Sequence, residues 1–169
     1  MKDQPVTPED LLNILHAQAV VDDRMEYCQG MNFLAGFLIL VLKDQAMAFG
    51  ILKQVVEKYE MTDIFNADKS KLKLFFYTLD RLISIYLPDL HSHFKEENIN
   101  SSMFCTTFFI TLFTQVLQTQ QSPDKIWKLK RIWDYFIVYG WKAIFKVSVI
   151  LLRESEENCL QMQFEVILS

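Results

Sequence analysis

Apolar residues recur at intervals of three and four along most of the chain, the spacing of one helix face, and no stretch alternates well enough to predict a strand. The most apolar segment runs from Met31 to Leu42 and is interrupted by only one polar side chain, Asn32. It is shorter than the ~20 apolar residues that span a bilayer, so it predicts a buried core helix. Gly30 and Gly36 lack a Cβ and would let other backbone approach closely. Gln29 stands immediately before the run, where the chain should emerge from the core. A rigid buried helix with a polar residue at its mouth is a suitable mount for a functional side chain.

The rest of the pattern is also helical. Thr7-Pro8-Glu9-Asp10 reads as a capped helix start, followed by one stripe of Leu11, Leu12, Ile14 and Leu15 that Val20 and Val21 continue. A stop is expected around Asp22-Asp23, then a polar loop to Tyr27. Residues 44–59 predict an amphipathic helix with Phe49, Ile51, Leu52, Val55 and Val56 inward, and 61–69 a loop. From Ser70, the positions of Leu72, Phe75, Phe76, Leu79, Leu82, Ile83 and Tyr86 predict a helix with Pro88 just past its end, and 89–97 a brief one. Ser101 or Ser102 reads as the cap of an aromatic-rich helix running through Phe113 and Leu117, and 118–122 as a loop. Ser122-Pro123-Asp124 opens a helix carrying Ile126, Leu129, Ile132, Trp133 and Phe136, with Gly140 as its stop. Residues 143–152 form another, and 154–169 one more. The expectation is an all-α fold of seven to nine helices, too many and too uneven for a four-helix bundle.

Composition narrows the function classes. The chain has 169 residues, 51% of them hydrophobic, enough for one domain with a sizeable core. Its net charge of −4 offers no general attraction to nucleic acid or an anionic membrane. The first ten residues are polar, unlike a signal peptide, and no segment suits direct insertion into a membrane. Cys28, Cys105 and Cys159 are far apart and odd in number, which fits reduced thiols in a cytoplasmic protein.

Candidate chemistry is sparse. His91 and His93 are two apart, so on a helix they do not share a face, and with Asp89 they read as a solvated turn rather than a metal site. There is no GxSxG elbow, no convincing Cys–His pair and no Gly-rich phosphate loop, so the chain is expected to bind no nucleotide or other cofactor of its own. Lys125, Lys128, Lys130 and Arg131 read as a solvated helix face, with an acidic partner surface or lipid headgroups as the lesser alternative. Trp133-Asp134 could be only a core indole beside a surface carboxylate, and Gln29 only a polar cap on a buried helix.

Several segments carry a resemblance that changes this picture. Tyr27-Cys28-Gln29-Gly30-Met31-Asn32-Phe33, with Ala35-Gly36 following, resembles the glutamine-finger motif of the TBC domain, the helical Rab GTPase-activating family. Leu87-Pro88-Asp89-Leu90-His91-Ser92-His93-Phe94 resembles that family's LPxLxxH segment, Phe108-Phe109-Ile110-Thr111-Leu112-Phe113 its WFLTLF segment, and Arg131-Ile132-Trp133-Asp134-Tyr135-Phe136 with Gly140 its RIWDxFxxxG segment. Four motifs fall in family order across most of the chain.

The resemblance implies a partial TBC domain over 1–169 and a Rab-family small GTPase as partner. GTP and Mg²⁺ would be carried by that partner, and membrane association, peripheral on endomembranes, would come through the partner's lipid. Gln29 would be the catalytic side chain. Tyr27, Cys28, Gly30, Met31, Asn32, Trp133 and Asp134 would bind the partner or support the loop. The sequence departs from the family in lacking an IxxDxxR arginine motif before Gln29. Arg24 is the only arginine there, in the wrong context, so the chain is expected to be N-terminally truncated relative to the family. It also has Glu26 where glycine usually precedes the tyrosine, and Phe108 in place of tryptophan. These departures keep open a catalytically inactive TBC-fold scaffold that binds a Rab or another partner, and an incomplete product with exposed apolar surface.

Overall fold

The structure is a computed structural model that describes residues 7–21, 28–65, 70–115 and 123–161. Its elements are α1 (Pro8–Val21), α2 (Met31–Leu42), α3 (Gln45–Lys58), α4 (Thr62–Phe65), α5 (Ser70–Tyr86), α6 (Pro88–Glu96), a 3-10 turn (Ser101–Met103), α7 (Thr106–Thr111), α8 (Pro123–Tyr139) and α9 (Trp141–Leu160). Nine α-helices and no strand are found among the described residues. The all-α expectation holds.

Local chemistry sets most helix ends. Thr7 and Asp10 cap α1 reciprocally: the Thr7 amide and hydroxyl both donate to Asp10 Oδ2 at 2.8 Å, and the Asp10 amide donates to Thr7 Oγ1 at 3.2 Å. These bonds to the charged form hold the Asp10 carboxyl below the usual carboxylate range. Asp44 caps α3 by accepting from the Met47 amide at 2.8 Å. Pro88 takes the first position of α6, where a missing N–H costs nothing. Gly140 divides α8 from α9 at φ +62°, ψ −145°, a backbone state that favours glycine.

The core is organised about α2, which packs against α1, α3 and α7. It buries Met31, Leu34, Ala35, Phe37, Leu38 and Ile39, and burying each large apolar side chain contributes about 1.5–3 kcal/mol. Phe37 meets Trp133 of α8 with ring centroids 4.9 Å apart. A second group gathers around α5, which packs against α4, α6, the 3-10 turn and α9.

Tyr59 joins the two groups. Its hydroxyl donates to the Ile137 carbonyl at 2.8 Å, and its carbonyl accepts from Trp141 Nε1 at 3.0 Å and Lys71 Nζ at 3.3 Å. Its ring lies 4.3 Å from that of Phe136. Lys71 also donates to the Glu60 carbonyl and carboxylate, which pins the turn after α3 against α5.

Several sequence readings are corrected. On α1 the inward positions are Ile14 and Gln18, with Leu11 and Leu15 beside them, whereas Leu12, Val20 and Val21 are exposed. The stretch read as a loop from residue 61 contains α4, because Met61, Ile64 and Phe65 are buried. Ser101 is no cap: its hydroxyl donates to the Phe76 carbonyl at 3.0 Å, and its amide to Asp80 Oδ1 at 3.2 Å. α7 stops at Thr111 and does not run through Phe113, because Leu112 and Phe113 are left-handed at φ 47° and 65°. Tyr86 is exposed, and residues 154–160 continue α9 without forming a separate helix. The readings placed on Asp22-Asp23, 66–69, Leu117, 118–122 and 162–169 lie outside the described residues.

Candidate functional site

Gln29 sits at the tip of a tight turn that leads directly into α2. The turn is closed by the Met31 amide donating to the Cys28 carbonyl at 3.1 Å. Gly30, its third residue, has φ +118° and ψ −24°, close to the left-handed third position of a type II turn, where glycine is favoured. The Gly30 amide donates to Asn32 Oδ1 at 3.3 Å, the Cys28 amide to Met31 Sδ at 3.2 Å, and the Phe33 amide to the Gly30 carbonyl at 3.1 Å. Each bond ties the turn to the first residues of a helix that is itself locked in the core.

The turn is braced from behind by α7. A Cβ placed on Gly30 would stand 2.5 Å from Ile110 Cγ2 and 3.3 Å from Thr111 Cγ2. Glycine is therefore required twice, by the backbone angle and by the neighbour. Ile110 and Thr111 are buried, and the two left-handed residues that follow them fix where α7 ends. A close approach at Gly30 is found, but it is made by the side chains of Ile110 and Thr111 and not by backbone as expected; at Gly36 a Cβ would meet nothing within 4 Å, so that glycine has no such role.

Gln29 is exposed while Gly30 and Met31 behind it are buried. Among the described residues its amide forms no hydrogen bond within the chain. An uncharged, planar group that both donates and accepts is thus presented on a rigid mount with its bonding capacity unspent. Asn32 and Cys28 are half-buried, and their polar atoms serve the turn.

The other expected site residues separate. Trp133 is buried at 3% exposure and packs on Phe37, about two turns along α2 from the glutamine turn, so it supports the core and is not a contact surface. Its Nε1 has no partner among the described residues. Asp134 is exposed beside Arg131 at 3.6 Å. Tyr27, Arg24 and Glu26 lie outside the described residues. Ile110 and Thr111 were not singled out as supports by spacing. The signal that could have found them is the glycine itself, which implies a close neighbour without saying which one.

Among the described residues no group of three or more His, Cys, Asp or Glu is placed to hold a metal ion. All three cysteines are described and none is in a disulfide. Cys105 is buried and donates to the Ser101 carbonyl at 2.6 Å, and burial pushes its thiol pKa up to about 12. No described helix is long and apolar enough to cross a membrane.

Comparison with known proteins places this geometry in context. The family model described as the Rab-GTPase-TBC domain matches residues 1–160. The chain is 32% identical over 160 residues to the ecotropic viral integration site 5 ortholog of Drosophila melanogaster, covering 95% of this chain and 19% of that protein. It is 30% identical over 155 residues to the Rab GTPase-activating protein eat-17 of Caenorhabditis elegans, covering 92% of this chain and 17% of that one. It thus spans under a fifth of these curated relatives. The crystal structure of the Chlamydomonas flagellar RabGAP TBC domain superposes with a TM-score of 0.79 at 26% identity, over 96% of this chain and 53% of that one.

Proposed function

Because the chain belongs to the Rab-GTPase-TBC domain family, we propose that it acts as a GTPase-activating module on a Rab-type small GTPase and that Gln29 is the side chain it lends. The observation that carries this reading is the exposed amide at the tip of a turn locked by Gly30, Asn32 and α7.

The chemistry suits the side chain. A small GTPase hydrolyses GTP slowly because its attacking water is poorly placed and the charge on the transferring phosphoryl is poorly compensated. The Gln29 carbonyl accepts from that water while its NH₂ donates to a phosphate oxygen, so one planar group positions nucleophile and phosphate together. Rigidity is what gives the amide its effect, since misplacement by an ångström forfeits much of the gain. An arginine supplied to the same nucleotide adds about 10³–10⁵ in rate for activators of this general kind. GTP and Mg²⁺ arrive with the partner, and so does any membrane attachment, through the partner's lipid.

The test is single-turnover hydrolysis of GTP·Mg²⁺ on a panel of Rab proteins, with the chain and its Gln29→Ala variant. The wild type should accelerate one or more of them. The variant should lose that acceleration while still binding the same Rab loaded with a non-hydrolysable analogue. Its melting temperature should not move, since no turn bond uses the Gln29 side chain. An unchanged rate in the variant removes Gln29 from the mechanism. Binding without acceleration by the wild type would instead make the chain a scaffold.

A further inference from the structure

A second surface feature lies on helices that take no part in the glutamine turn. An open groove of about 620 Å³ runs between α5 and α9, and none of its lining residues belongs to α1, α2 or α7. Its floor is apolar, formed by Leu82 of α5 with Phe145 and Val149 of α9. Tyr86 and Ile150 stand on its edges, 55% and 45% exposed.

The rim is basic. Lys142, Lys146 and Arg153 line the groove from α9, all three are exposed, and no carboxylate is among the lining residues. Glu154 lies about 100° further round the helix, while Glu156 and Glu157, three and four residues beyond Arg153, continue its face past the end of the groove and do not line it. Arg153 Nη2 donates to the Tyr86 carbonyl across the groove at 3.3 Å, and Lys146 Nζ donates to the Tyr135 hydroxyl at 3.4 Å. The first bond holds Arg153 at the rim with further N–H groups to spare; the second ties Lys146 to α8, which does not line the groove, and leaves its other N–H groups unspent. Three cations gathered on one helix face are notable in a chain whose net charge is −4.

We propose that this groove docks an amphipathic helix of a partner protein whose apolar stripe is flanked by Asp or Glu. From Lys142 to Arg153 the groove edge runs about 16 Å, the length of three helical turns. An apolar stripe at positions i, i+3, i+4 and i+7 fills such a floor, and side chains beside the stripe reach the rim. The three cations favour acidic flanks and reject basic ones. A flat anionic bilayer would meet the cations but leave the concave floor unfilled.

The experiment uses the intact chain and two labelled 14-residue amphipathic peptides with the same leucine stripe, one flanked by Glu and the other by Lys, followed by fluorescence anisotropy. The Glu peptide should bind, and the Lys peptide at least tenfold more weakly. The variant K142E/K146E should reverse that order, and Ile150→Asp should lose both. All of these positions are exposed, and melting curves check that the variants fold. Equal binding of the two peptides overturns the proposal, as does an unchanged Glu-peptide affinity in K142E/K146E. A concentration-dependent dimer that K142E/K146E abolishes, or binding to phosphatidylserine vesicles with neither peptide bound, would assign the groove to those occupants and overturn it equally.

Discussion

Replacing Gly30 by alanine tests the link between the glutamine turn and its brace. Two costs add. At φ +118° and ψ −24° an L side chain meets its own backbone, a penalty of at least about 1–2 kcal/mol. The new methyl would also sit 2.5 Å from Ile110 Cγ2 and 3.3 Å from Thr111 Cγ2, inside the ordinary carbon separation of about 3.5–4.0 Å. Ile110 is only 7% exposed, so its methyl group cannot swing into solvent. Overpacking of that kind costs about 1–3 kcal/mol. The sum is about 2–5 kcal/mol, a large share of the about 5–15 kcal/mol by which domains are stable. At this size it lowers the melting temperature by roughly 5–15 °C. Calorimetry on Gly30→Ala, Ile110→Ala and the double variant separates the terms. Truncating Ile110 removes the clashing methyl but not the backbone penalty, so the double variant should be about 1–3 kcal/mol more stable than the two single losses combined. A Gly30→Ala protein that melts within about 1 °C of the wild type, or strictly additive losses, would refute the reasoning.

Other outcomes are expected from the same geometry. The Cys105 thiol ionises near 12 in the folded protein against the ordinary 9.0, so between those values the unfolded chain sheds a proton that the folded one keeps, and stability falls as pH rises above about 9. The wild type should therefore lose stability faster than Cys105→Ala between pH 9 and 11, by on the order of 1 kcal/mol per pH unit, as read from denaturant midpoints. Lys71→Met, which removes the ammonium from two backbone carbonyls, should cost about 1–3 kcal/mol. Lys71 also holds the Glu60 carboxyl below its usual range, first by hydrogen bonding and then by its charge. That stabilisation is present above the unfolded value of 4.5 and is lost as pH falls through the folded one, so the variant should show a shallower acid limb in thermal melts. Trp133→Ala should cost about 3–5 kcal/mol in a urea titration, whereas Trp133→Phe should cost less than about 1.5 kcal/mol, because the indole N–H it discards has no partner among the described residues.

How far the chain could be read depended on where each residue's partner lay. α2, α5 and α8 were legible because their apolar positions meet a continuous core, whereas Gly30 was legible only as a point of close approach: its left-handed turn position and its side-chain neighbours on α7 were not. On α1 the periodicity misled: Gln18 lies at 1% exposure while Val20 is 84% exposed. A stripe shows only that one face is greasy, not which turn of it a neighbour covers. Ser101 has the chemistry of a cap, but its hydroxyl is taken by Phe76, 25 residues away. The left-handed break at Leu112 and Phe113 has no local signal, since neither residue favours that conformation. Their surroundings impose it, and with it the end of α7 that braces the glutamine turn.

The bonds of Tyr59 have a kinetic consequence. They bridge separations of 78 and 82 residues to Ile137 and Trp141, and closing a loop of that length costs about 4 kcal/mol of chain entropy beyond a constant. Individual helices can form within about a microsecond, yet the halves of the molecule are fastened when this tyrosine finds both helices of the α8–α9 pair and Phe37 meets Trp133 of the same pair. Assembly should be paced by that meeting and not by the ease with which any one segment coils.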